Sequence, residues 1–291
     1  MSGDLAIDVK NLSYKYPIND VKTLHNIDLQ IPYNTINLLL GSNGSGKTTF
    51  LKILGGKTLC LNGDVLIDNV NPFSNGFRNT VTLSDGSEIN KVCYFGTDWV
   101  RSEFINRDIT VLELITSLGY RKENLEHEFT KRGNYLMEIL EVDLGWRMHM
   151  LSDGQKRRVQ LIMGLLKPFK VLLLDEITID LDVVARFKLF EFLKFEVSQG
   201  KNNPERKCCI VYCTHIFDGL NSWYDRVIHL HRGEIEGDFQ YKSIQYVDDE
   251  KDENIEADDD GVVRIARSSS LHPLVLKWLL KDEHKRRGIS L

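Results

Sequence analysis

Apolar and polar residues alternate along Leu5–Tyr14, the pattern of a strand with one face in a core. Thr35–Leu40 is a short apolar run followed at once by glycine. Residues 171–174 and Cys209–Cys213 are unbroken apolar runs, which predict strands covered on both faces. Between these runs the spacing turns helical, along residues 49–54, 136–142 and 183–197. Doubly covered strands separated by helices predict an α/β sheet. Residues 71–91 are polar and rich in Asn, Ser, Gly and Thr, and are expected to form an exposed excursion.

This order stops at Asp248. Residues 248–260 hold nine carboxylates and one lysine, too little apolar surface to fold, so an acidic linker is expected there. Residues 261–291 then carry seven Lys or Arg against two acids. In this tail Leu271, Leu274, Val275, Trp278 and Leu279 fall on one face of a helix, with Ser270 as a cap and Pro273 in the first turn. That face is expected to pack back on the body, with docking of a partner protein or lying on a membrane surface as the alternatives.

Charge and composition narrow the class. With 42 acidic and 37 basic side chains the net charge is −5, so nothing global draws the chain to nucleic acid, and no such direct partner is expected. No apolar run approaches the ~18 residues of a membrane span, and the first residues lack the basic start and apolar stretch of a secretory signal. The five cysteines (Cys60, Cys93, Cys208, Cys209 and Cys213) are odd in number and show no C-x-x-C spacing, which predicts buried free thiols. A soluble, cytoplasmic chain is expected, with nuclear entry left open.

The strongest local signal is Gly41-Ser42-Asn43-Gly44-Ser45-Gly46-Lys47-Thr48, which satisfies G-x-x-x-x-G-K-[ST]. Glycines let the backbone curl until successive N–H groups face one centre, which suits a polyphosphate. Lys47 adds a positive charge for the phosphates, the Thr48 hydroxyl can ligate Mg²⁺, and the helix expected to start here, with Thr49 in its first turn, points its positive end at the same anion. An apolar strand precedes the loop, as this reading requires. Far along the chain the run at 171–174 ends in Asp175-Glu176. A buried strand delivers such carboxylates at its C-terminal edge, where ligands sit in these sheets. Asp175 suits Mg²⁺ and Glu176 suits the orientation or deprotonation of an attacking water.

Leu151-Ser152-Asp153-Gly154-Gln155 resembles the L-S-G-G-Q signature of the ABC ATPase family, with Asp153 in place of a glycine. It stands about 20 residues before the carboxylate strand, where that family places it. Other elements follow the family order. Tyr16 matches the aromatic that stacks on adenine, with Tyr14 as the rival position. Asp182 closes a D-loop-like Ile179-Asp180-Leu181-Asp182, and His215 matches the histidine that contacts the γ-phosphate. The resemblance implies a P-loop NTPase of ABC type: a RecA-like α/β core with an antiparallel β subdomain, a helical subdomain at about 98–165 and, here, the added tail helix. It sets the ATPase domain at 5–247.

The resemblance also implies a homodimer, with ATP held between the phosphate loop of one copy and Ser152, Gly154 and Gln155 of the other, and Mg²⁺ as cofactor. Catalysis would then fall to Glu176 and His215. One departure stands out. Most family members carry a glutamine after the strand that here reads Lys91-Val92-Cys93-Tyr94-Phe95, and this chain continues Gly96-Thr97-Asp98-Trp99. That puts ordinary transport coupling in doubt. Segments 94–99, 146–149, 151–158 and 214–219 resemble a soluble, non-transporter subgroup, the fungal ABC ATPases associated with the CCR-NOT complex. A regulatory partner of CCR-NOT type, in transcription and mRNA turnover, is therefore expected. The alternatives are a peripheral ATP-binding subunit of a membrane transporter and a nucleotide-gated scaffold with little turnover.

Overall fold

The structure, a computed structural model, describes residues 4–17, 21–96, 99, 107–215, 220, 223–247, 262–266 and 272–287. Thr97, Asp98, the acidic segment 248–260, Ser270 and Leu271 lie outside these residues. In chain order the elements are β1 (Leu5–Tyr14), β2 (Leu24–Pro32), β3 (Thr35–Leu40), α1 (Lys47–Leu54), β4 (Asp64–Ile67), β5 (Thr80–Thr82), β6 (Glu88–Phe95), α2 (Val111–Thr116), α3 (Glu128–Leu140), α4 (Asp153–Leu165), β7 (Phe169–Asp175), α5 (Val183–Asn202), β8 (Cys209–Cys213), β9 (Arg226–His231), β10 (Glu234–Gln240), β11 (Ile244–Val247), β12 (Val263–Ala266) and α6 (His272–Arg287). They form two compact units, Met1–Phe77 with Cys209–Leu291, and Arg78–Cys208.

In the first unit, β1 lies between β2 and β4 in a small antiparallel sheet. A larger sheet runs β10-β9-β3-β8, with β3 parallel to both β8 and β9. Leu38, Leu39, Val211 and Tyr212 are fully buried there, so the continuous apolar runs do mark strands covered on both faces. Strands β9 and β10 are joined by Arg232-Gly233, both with positive φ (46° and 82°). That two-residue turn matches the twist of the strands it joins. All five cysteines are buried, and none is in a disulfide. The C-terminal helix packs back on this unit: Leu274, Val275 and Trp278 of α6 are buried.

In the second unit the strand order is β7-β6-β5, with β6 parallel to β7 and β5 antiparallel to β6. Helices α3 and α5 are bridged by Arg132, whose guanidinium meets both Glu196 oxygens at 2.7 and 2.8 Å. Two expectations change here. Residues 71–91 are not all an exposed excursion, because β5 and the start of β6 lie in that span, pair as a hairpin and bury Ile89. The turn is set by Asp85-Gly86, where Gly86 has φ 82° and the Asp85 carboxylate accepts from Ser87 N–H at 2.8 Å. The helical pattern at 136–142 belongs to a longer helix that starts at Glu128, capped by His127, and stops at Leu140 because Glu141 turns left-handed at φ 52°.

Among the described residues, no helix is long and apolar enough to cross a membrane. The arrangement is the α/β fold expected, with an antiparallel β sheet, a run of helices and a C-terminal helix.

Candidate nucleotide site

The phosphate loop follows β3. Gly41, Gly44 and Gly46 have φ of 152°, 80° and 106°, and this succession curls residues 41–48 into a cup at the start of α1. Two ties hold the cup: Ser45 N–H donates to Ser42 O at 3.1 Å, and Gly233 N–H donates to Ser45 O at 2.9 Å. Lys47 is buried, and its ammonium donates to the carbonyls of Gly41 (2.7 Å) and Ser42 (3.0 Å). A long cationic side chain is thus folded onto its own loop. Asn43, Gly44 and Thr48 are exposed at the rim. Among the described residues, the Ser45 hydroxyl is buried in the curl with no hydrogen-bond partner. A buried hydroxyl without a partner costs free energy that an anionic oxygen acceptor would recover. The loop therefore fits a polyphosphate.

Two more sequence candidates lie in the same unit. The Tyr16 hydroxyl is 3.0 Å from Thr49 Oγ1, which ties the proposed base-stacking ring to the first turn of α1. Tyr14, the rival, packs edge-on against Tyr16 at 5.0 Å. His215 follows β8 and is exposed. Leu39 pairs in register with Cys213, so the phosphate loop and the Thr214-His215 turn leave adjacent strands at the same edge.

In the second unit, β7 ends in Asp175, which is buried and accepts a 3.1 Å hydrogen bond from the Tyr94 hydroxyl on β6. A side chain at Gly96 would collide with that hydroxyl, since a Cβ there lies 2.4 Å from it. Glu176 turns the chain sharply with φ 56°, a conformation that costs a non-glycine residue roughly 1–3 kcal/mol and clusters at functional sites. Tyr94 was not among the sequence candidates. The signal available was its place in the strand just before the loop that lacks the glutamine.

The signature segment starts α4. Ser152 caps it: its hydroxyl accepts from Gln155 N–H at 3.3 Å, while Gln155 Oε1 accepts from Ser152 N–H at 3.0 Å. The Gln155 side chain is thus used in the helix cap. Gly154 packs close to the Asp180 carbonyl, which a Cβ would meet at 3.2 Å. Ser152, Gly154, Gln155, Arg158 and Asp180 line a cleft of about 420 Å³ with Glu141 and Trp146. Asp182 caps α5 by accepting from Val184 and Ala185 N–H at 3.0 and 2.9 Å, and Arg158 reaches it at 2.6 Å. Those backbone donors, Ala185 first, hold its carboxyl below the usual range. Arg157 is buried, bonds the Gly96 carbonyl at 2.9 Å and approaches Asp180 at 3.5 Å. Neither arginine was a sequence candidate.

Among the described residues, no three His, Cys, Asp or Glu side chains gather as a metal cluster. Magnesium in nucleotide sites ordinarily takes one or two protein ligands and completes its shell with phosphate and water.

Residues 24–179 match the protein family described as ABC transporter. The chain belongs to the ABC ATPase family. Its relatives include CCR4-associated factor 16 of Saccharomyces cerevisiae, 45% identical over 295 residues that span 97% of this chain and 96% of the yeast protein. ABC transporter I family member 21 of Arabidopsis thaliana is 40% identical over 232 residues, 80% of this chain and 77% of the plant protein. The fold is that of solved cassettes. An ATP-binding subunit of an ABC transporter superposes with TM-score 0.66 at 20% identity, over 94% of this chain and 98% of that one. A bacterial ABC transporter cassette solved as a dimer superposes with TM-score 0.58 at 24% identity, over 80% and 98%. Proteins of this family are generally ATPases that bind ATP with Mg²⁺.

Proposed function

We propose that this chain is an ATP hydrolase that closes as a homodimer around Mg-ATP and that its output is read by a gene-expression assembly of CCR-NOT type. The observation that carries the nucleotide reading is the phosphate loop, with three glycines at positive φ, Lys47 folded into the curl and the Ser45 hydroxyl buried without a hydrogen-bond partner among the described residues. Thr48 and Asp175 would hold the Mg²⁺, which when bound neutralises phosphate charge. Lys47 moves from its loop carbonyls to the phosphates. Glu176 orients the attacking water or takes its proton, and His215 donates to the terminal phosphate. Tyr16 stacks on the base.

The dimer reading draws on the signature cleft, whose helix start suits an anion brought by a second copy. It draws also on Ile179, Val183, Val184 and Phe187, large apolar side chains left exposed on the loop and helix that flank Asp182. The partner reading draws on the resemblance carried by segments 94–99, 146–149, 151–158 and 214–219 and on the name of the yeast relative, a CCR4-associated factor. The family description and the plant relative's name favour a second reading, a transporter's ATP-binding subunit, for which co-purification with an integral membrane protein is the test.

Phosphate release by wild type and Glu176→Gln, each at saturating Mg-ATP, tests the enzyme claim. The variant is expected to fall at least a hundredfold, within the span of a lost acid–base group. Equal rates would leave a nucleotide-gated scaffold.

A further inference from the structure

The C-terminal helix packs at a place that bears on the phosphate loop. Trp278 of α6 stacks on two rings: His229 of β9 at 5.1 Å and 9°, and Phe239 of β10 at 5.4 Å and 20°. The stack is built for this ring. Phe239 lies so close to Gly237 that a Cβ there would meet it at 2.4 Å. Trp278 and His229 are both only 5% exposed.

The same hairpin supports the loop from its other face. His229 pairs in register with Leu40, the last residue before Gly41. Its neighbour Leu230 points to the opposite face, as successive strand residues do. The Leu230 carbonyl fills the space where a Cβ on Gly41 would sit, at 2.1 Å, and the Leu230 side chain lies against Gly46. The β9–β10 turn then donates from Gly233 N–H to Ser45 O and accepts at Gly233 O from His25 N–H. Strand β9 therefore touches the aromatic stack through His229 and the phosphate loop through Leu230.

We propose that Trp278 is a positioning residue for the nucleotide: by fixing the β9–β10 hairpin it sets the shape, and so the phosphate affinity, of the loop that hangs on it. The inference rests on the reading of residues 41–48 as a phosphate loop. It makes the tail helix part of the nucleotide site's support rather than a separate appendage. The cost of losing the stack falls on binding, because the loop must then order itself as the phosphates arrive.

The test uses the full chain and titration calorimetry with Mg-ATP and Mg-ADP, beside steady-state phosphate release and a thermal melt. Trp278→Ala is expected to weaken both nucleotides about tenfold and raise KM in step, with kcat changed less than threefold. Trp278→Phe, which keeps a ring in the stack, should bind within about twofold of wild type. Equal affinity of Trp278→Ala and wild type overturns the inference, as does an equal loss in both variants. Failure of wild type itself to bind nucleotide overturns the loop reading, and this inference with it. Should Trp278→Ala not fold, the wild-type and Trp278→Phe chains decide. A nucleotide-induced change in tryptophan emission that is lost in Trp278→Phe supports the coupling, and an identical change in both refutes it.

Discussion

Alanine at Gly41 and at Gly44 should separate a steric role from a conformational one within a single loop. A Cβ on Gly41 would lie 2.1 Å from the Leu230 carbonyl oxygen, whereas carbon–oxygen contacts settle near about 3.3 Å. The obstacle is backbone in a paired strand, so it cannot swing aside as the tip of a side chain would. A clash in packed surroundings costs roughly 1–3 kcal/mol. The positive φ of 152° adds strain of roughly 1–3 kcal/mol. Gly44 has φ 80°, but among the described residues no atom lies within 4 Å of where a Cβ would sit, so only the conformational cost applies, roughly 1–2 kcal/mol. Gly41→Ala should therefore lose about 1–3 kcal/mol more than Gly44→Ala. Urea unfolding monitored by far-UV circular dichroism gives the difference at constant slope. Nucleotide binding should be abolished in Gly41→Ala and weakened in Gly44→Ala. Coincident unfolding midpoints would refute the contact between the loop and β9, and with it the idea that the hairpin shapes the loop.

Other substitutions probe the second unit. Tyr94→Phe removes the 3.1 Å donor to Asp175 and should slow phosphate release roughly tenfold with little change in the unfolding midpoint; an unchanged kcat would count against a role for Tyr94. Arg132→Ala should cost about 3–5 kcal/mol in urea unfolding, because it strips a nearly buried bidentate pair and leaves Glu196 without its cation. Arg132→Lys should restore little of that loss, since an ammonium cannot bond both carboxylate oxygens in a fork. Asp182→Ala should cost about 1 kcal/mol as a lost helix cap. The Asp182 carboxyl is held below its ordinary range in the folded chain, so its charged form adds stability that is complete above about pH 4 and fades as pH falls through the folded value. The gap between wild type and Asp182→Asn should therefore hold above about pH 4 and shrink as pH falls below it, as read from unfolding midpoints.

What could be read from residues alone was what a short stretch of chain decides. The curl of residues 41–48 depends on glycines at fixed spacing, and the carboxylate pair ends a run too apolar to be anything but a covered strand. The buried cysteines follow from their apolar neighbours. What could not be read depends on partners distant in sequence. Tyr94 meets Asp175 because β6 and β7 run parallel in register, 81 positions apart along the chain. Trp278 finds His229 and Phe239 only once β9 and β10 have paired, so the tail's apolar face was legible and its partner was not. The β5–β6 hairpin was missed because its first strand is three residues long and mostly exposed, which leaves little hydrophobic alternation to detect. The Arg232-Gly233 turn carries an arginine where a left-handed residue is more often Asn or Asp.

The claim on which the account turns is that nucleotide brings two copies of this chain together. The direct measurement is the solution mass of Glu176→Gln by light scattering, without nucleotide, with Mg-ATP and with Mg-ADP, at a concentration where ATP binding is saturated. The account predicts a single-chain mass without nucleotide and with ADP, and twice that mass with Mg-ATP, reverting when Ser152→Arg blocks the signature cleft. A single-chain mass in saturating Mg-ATP, with binding confirmed in the same sample, would contradict it.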